Sequence, residues 1–227
     1  MTSIMITERC NMRCSHCCRS STESGRDMSM EVFEKSIEFA MEMDEDYGDS
    51  HLTITGGEPT LHDRFKEMVT YALGNYIPEN REWNPAIIVV TNGTVYDKAM
   101  WLARLTDLDR VNGVLSMDDF HSESLVQPDP DVAEAFRCIS NMVGKEGIHS
   151  VSHTQVTANG RGKGISGAHY GCACEDLLVR PDGEIMTCGC EHGYSIGNAM
   201  TEWTMPEGFC PGRCTTEQEE IENAYLP

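Results

Sequence analysis

Short β-rich apolar runs and amphipathic helical stretches alternate along the first two thirds of the chain. The runs Thr2 to Thr7, Leu52 to Thr55, Ala86 to Thr91, Val111 to Ser116 and His149 to Thr157 are flanked by Gly, Asn, Asp or Pro and read as strands. Between them, Met30 to Met43 sets Phe33, Ile37 and Met41 on one face behind Ser29 as N-cap. Helical spacing returns at Asp63 to Leu73, Asp97 to Leu105 and Asp131 to Lys145, and Pro130 suits a first helical turn, where its missing N–H costs nothing. Strand-helix alternation implies parallel strands joined by right-handed crossovers, hence an open α/β sheet or a partial barrel with functional loops at the strand C-termini.

After Thr157 the pattern changes. The stretch NGRGKGISG is rich in glycine, and beyond it lie six cysteines, an RPDG turn and no long helix before a tail at Thr216 to Ala224. Leu177 to Val179 and Glu184 to Met186 flank that turn and read as a β-hairpin. The expected division is a core over residues 1–160 and a small cysteine-bound region over 161–227.

With 227 residues the chain suits one generous domain, and no apolar run approaches the roughly 20 residues that cross a bilayer. The start MTSIMITERC lacks a basic, then apolar, secretory pattern, which gives a cytoplasmic expectation and no membrane partner. A formal charge of −20 repels phosphate backbones, and the one dense basic stretch, Arg161-Gly162-Lys163, is too short to track one, so nucleic acid is not the expected partner. Eleven cysteines in a reducing compartment point to metal or cluster ligation rather than disulfides.

The chemistry concentrates in TERCNMRCSHCC, behind the first strand. Cys10, Cys14 and Cys17 are spaced so that one compact loop can present three thiolates, and a four-iron cluster held by three protein thiolates leaves one iron open to a ligand. Zinc is the alternative, although zinc motifs usually close the fourth position. Cys18, next to Cys17, is expected to point away. At these residues the chain resembles the radical S-adenosylmethionine (SAM) superfamily, whose C-x3-C-x-Φ-C signature has an aromatic residue before the last cysteine; His16 fills that place. The resemblance implies a 4Fe-4S cluster whose fourth iron is chelated by SAM. It implies reductive cleavage of SAM to methionine and a deoxyadenosyl radical, which abstracts a substrate hydrogen.

A second motif follows the second strand. In TITGGEP, the glycines Gly56 and Gly57 allow a close backbone approach to a ligand, and Glu58 offers a carboxylate to an ammonium group, with Pro59 behind it. In the superfamily this motif binds the methionine amino group. Further expected cosubstrate contacts are Asn92 after the third strand, Ser116 and Asp118 after the fourth, and Arg161 as a carboxylate clamp. Asp119 and His121 read equally well as a solvated loop.

The C-terminal cysteines resemble the auxiliary-cluster regions called SPASM and, in shortened form, Twitch. Cys172, Gly183 and Cys188 fit the opening of that pattern, and of the later cysteine run only Cys210 and Cys214 remain. The resemblance implies one auxiliary 4Fe-4S cluster on Cys172, Cys188, Cys210 and Cys214, with Cys174 and Cys190 as alternates. Cys138, inside the last of these helical stretches, reads as a small core residue. Together these implications give an α/β partial (β/α) barrel of about five to six parallel strands with a C-terminal cysteine-rich β-hairpin. The implied activity is oxidation or modification of a small molecule or peptide, served by a reductant such as flavodoxin or ferredoxin. The nine residues ahead of Cys10 favour a small substrate or a peptide delivered by a partner. Competing readings are an activase that installs a glycyl radical on a partner protein, and a non-catalytic zinc-binding module.

Overall fold

The computed structural model describes residues 2–47, 51–78, 85–139, 147–149, 156, 159–166, 168, 177–189 and 193–205. Strand β1 (Thr2–Met5) leads through the cysteine loop to α1 (Met30–Tyr47), then β2 (Leu52–Thr55), α2 (Phe65–Asn75), β3 (Ile87–Thr91), α3 (Tyr96–Asp107) and β4 (Asn112–Ser116). A short α4 (Asp119–Ser122), α5 (Pro130–Cys138) and β5 (Ile148–His149) follow, and then β6 (Leu177–Val179), β7 (Glu184–Met186) and β8 (Ser195–Asn198). Among the described residues no helix is long and apolar enough to cross a membrane.

One sheet contains all eight strands in the order β5-β4-β3-β2-β1-β6-β7-β8. Each of β2 to β5 joins in parallel on the same side of its predecessor, without the reversal that marks a doubly wound sheet. This is the order of an incomplete barrel, as expected from the alternation. The hairpin β6–β7 is antiparallel, and β6 pairs in parallel with β1, so the cysteine-rich region extends the barrel sheet. A third antiparallel strand, β8, completes it.

The core forms where strand residues Ile4, Ile54, Val89 and Leu115 meet Phe33, Phe65, Leu102 and Phe136 from the helices. Helix α1 begins as expected, with the Ser29 hydroxyl accepting from the Val32 N–H at 3.2 Å. Pro130 opens α5 behind Asp129, whose carboxylate accepts from the Asp131 N–H. Helix α5 stops earlier than its apolar spacing suggests, because Ile139 adopts extended backbone (φ −82, ψ 117). Helix α4 was not foreseen: four residues capped by Asp118 are too short to carry a helical period.

Candidate active site

The parallel strands end on one side of the sheet, and the loops there enclose a cavity of about 350 Å3. It is lined by Cys10, Cys14 and Cys17 after β1, Gly56 to Pro59 after β2, Asn92 after β3, Ser116 at the end of β4, His121 beyond it, and Arg161. Of the expected cosubstrate contacts, Asp118 alone stands behind this lining.

The cysteine loop is held on three sides. Its own ends close where the Cys10 N–H donates to the Thr22 carbonyl at 2.6 Å. On one flank Arg161 donates from Nε to the Cys14 carbonyl (2.8 Å) and from Nη1 to the Ser21 carbonyl (2.9 Å), while its own N–H reaches the Cys17 carbonyl (2.9 Å). Arg161 therefore braces the loop with the groups it was expected to offer a carboxylate. On the other flank α4 docks: Ser15 donates to Glu123 at 2.9 Å, and the His16 ring lies 4.7 Å from Phe120 and 5.0 Å from His121 between centroids. Arg161→Ala should cost about 1–3 kcal/mol in stability by stranding two loop carbonyls, read by denaturant unfolding.

The two glycines of the second motif answer a different need from the one expected. A Cβ on Gly56 would lie 2.8 Å from the Thr7 carbonyl oxygen, and one on Gly57 would lie 2.4 Å from that of Arg9. The partner they approach is the chain leading into the cysteine loop, to which Gly57 and Glu58 also donate their N–H groups at 2.7 Å. Glu58 is likewise committed. Its carboxylate is buried and accepts from the Thr60 N–H (3.0 Å), the Thr60 hydroxyl, the Thr91 hydroxyl (2.7 Å) and the Asn92 N–H (2.6 Å). Burial lifts this carboxyl above its ordinary range against the pull of those bonds. Glu58 thus ties β2 to β3 beneath the cavity instead of holding out a free carboxylate. Asn92 extends the tie by donating from its side chain to Asn11 in the cysteine loop at 3.1 Å.

Asp118 caps α4 and holds His121, accepting from the His121 N–H (3.0 Å) and pairing with Nδ1 (2.7 Å). Burial alone would lower the His121 pKa, but Asp118 and the Cys14 thiol raise it to about 9. One ligand-type atom from each of Cys14, His16 and His121 lies within 4.8 Å of the others. His121 thus belongs to the cavity wall, a position that DDFH in a loop did not reveal.

The donor set suits a positively charged metal group. Burial pushes the Cys10 thiol up to about 11, with the neighbouring charges of Glu58, Cys17 and Cys14 adding to it, so a cation at this position would favour the Cys10 thiolate. Cys14 is buried, and His16 presents a buried Nδ1 without a hydrogen-bond partner among the described residues. At the other end of the sheet Cys188 follows β7 and is buried. Cys172, Cys174, Cys190, Cys210 and Cys214, with the expected tail helix, lie outside the described residues.

A family model described as the radical SAM superfamily matches residues 4–156. The chain belongs to this superfamily. Its members are enzymes that use a 4Fe-4S cluster and SAM. The chain is similar to a probable GTP 3',8-cyclase of Methanococcus maripaludis, with 29% identity over 111 residues, 48% of this chain and 34% of the relative. It is also similar to the antilisterial bacteriocin subtilosin biosynthesis protein AlbA of Bacillus subtilis, with 29% identity over 119 residues, 52% of this chain and 24% of the relative. The matched segments span only about a quarter to a third of these relatives. The crystal structure of BtrN in complex with AdoMet and 2-DOIA matches the fold with a TM-score of 0.59 at 18% identity, over 89% of this chain and 79% of that one.

Proposed function

We propose that Cys10, Cys14 and Cys17 hold the superfamily's four-iron cluster and that the cavity beside them binds SAM. The observation that carries this is the convergence of the three cysteines with Gly56 to Pro59, Asn92, Ser116 and Arg161 around one cavity. When bound, the cluster supplies the electron that divides SAM into methionine and a deoxyadenosyl radical able to take a substrate hydrogen. The chain's own residues prepare the place: Arg161 and α4 fix the loop, Glu58 fixes the second motif against β3, and the His16 ring forms part of the cavity wall.

Residues 1–160 form the catalytic core in this reading, and residues 161–227 carry one auxiliary 4Fe-4S cluster of the SPASM/Twitch type on Cys172, Cys188, Cys210 and Cys214, with Cys174 or Cys190 as alternates. The outcome is oxidation or modification of a small molecule or peptide, fed by a flavodoxin-like or ferredoxin-like reductant in the cytoplasm, where such clusters persist. The test is to reduce anaerobically reconstituted protein with dithionite, add SAM and assay deoxyadenosine; none above the protein-free control would refute the assignment. The convergence of Cys14, His16 and His121 favours one competitor, a single zinc ion there, which predicts colourless protein and no cleavage.

A further inference from the structure

A second cavity, of about 500 Å3, lies behind the cysteine loop, between it and the β6–β7 hairpin. The loop contributes Cys18 to Thr22, and the hairpin contributes Leu178, Arg180, Met186 and Cys188. Cys18, Arg19 and Ser21 line this cavity and the first one alike, so that segment is the partition between them.

Several features of the partition suit an anion. Nη1 of Arg19 is buried and has no hydrogen-bond partner among the described residues. A buried guanidinium N–H is costly to leave unpaired, and its planar fork matches an oxyanion. The arginines around it are spent: Arg180 on Glu184 at 3.1 Å and Glu8 at 3.9 Å, Arg26 on Asp182 at 2.6 Å, and Arg161 on the loop carbonyls. Among the described residues the one carboxylate in the lining is Glu8, which Arg26 (3.7 Å) and Arg180 (3.9 Å) offset. Next to Arg19, Ser20 takes left-handed backbone (φ 52), a strained state for a residue with a Cβ and one that collects at ligand sites. Ser20 and Ser21 bring further hydroxyls to the wall, while those of Thr22 and Ser24 bond to each other and to the Ser24 carbonyl.

We propose that the second cavity binds the substrate by an oxyanion, carboxylate or phosphate, seated on Arg19. This rests on reading the first cavity as the SAM site. The substrate then adjoins that site across Cys18 to Ser21, with Cys188 on the opposite side of its cavity.

Reconstituted protein is titrated calorimetrically with inorganic phosphate and, separately, with succinate, without SAM and at saturating SAM. The expected result is saturable binding of at least one anion that persists with SAM present. It should weaken by about tenfold or more in Arg19→Gln, the size of one charge-assisted hydrogen bond, and survive in part in Arg19→Lys. The preferred anion separates a carboxylate from a phosphate substrate. Absence of binding, equal binding by wild type and Arg19→Gln, or displacement of the anion by SAM overturns the proposal. Iron is assayed in parallel, so protein that binds anions through Arg19 yet takes up no iron keeps the anion site and overturns the SAM-site reading alone.

Discussion

Cys14→Ala should halve the iron of the reconstituted protein, from about eight per chain to about four, and reduce deoxyadenosine formation to the protein-free background. Three thiolates are the minimum that leaves a four-iron cluster one open iron, so the triplet has no spare ligand. Cys14 is also its most constrained member: its side chain is buried among His16 and His121, and its carbonyl is fixed by Arg161. Cys188→Ala should remove the other half of the iron and leave the triplet's share in place. Cys138, expected in the core, is instead exposed near the end of α5 and bonded to Glu134 at 3.5 Å, and Cys138→Ala should change neither quantity. Iron retained in full by Cys14→Ala would refute the ligand assignment, and equal iron in wild type and Cys188→Ala would remove the auxiliary cluster.

Glu58→Gln should destabilise the protein by about 2–4 kcal/mol although it preserves side-chain size. Oε1 accepts from the Thr60 N–H and Oε2 from the Asn92 N–H, so a glutamine must turn its NH2 group toward a backbone donor at either position. The two threonine hydroxyls can rotate to accommodate the change, but a backbone N–H cannot. The loss should spread to the cysteine loop, because the same segment donates from Gly57 and Glu58 to Thr7 and Arg9. Urea unfolding of the iron-free protein measures the effect. A change below about 0.5 kcal/mol, the size of an ordinary surface substitution, would show that Glu58 does not anchor the site.

What the sequence made legible was mainly local. Cys10, Cys14 and Cys17 declare themselves by spacing, and the alternation of apolar runs with amphipathic stretches located β1 to β4 and the helices between them. The RPDG turn likewise identified the β6–β7 hairpin. The remainder depends on contacts between distant segments. Nothing in Leu177–Val179 signals parallel pairing with Thr2–Ile4 some 175 positions earlier, as the register Thr2 with Leu177 requires. Glu58 looked like a free carboxylate because the donors that occupy it come partly from Thr91 and Asn92. Arg161 looked like a carboxylate clamp because its partners, Cys14 and Ser21, lie 147 and 140 residues away. His121 read equally well as a solvated loop residue, because it reaches the cavity through a four-residue helix whose order comes from packing on His16. Cys18, expected to point away from the site, lines both cavities, since the partition between them is one chain thick there.

The central claim is that the triplet holds a cluster with one iron open to SAM. Electron paramagnetic resonance of the dithionite-reduced Cys188→Ala protein, which isolates the triplet's cluster, tests it directly. The account predicts a reduced four-iron signal whose g-values shift when SAM is added, because the amino and carboxylate groups of SAM bind the open iron. A signal indifferent to SAM, or a colourless protein carrying one zinc per chain, would contradict it.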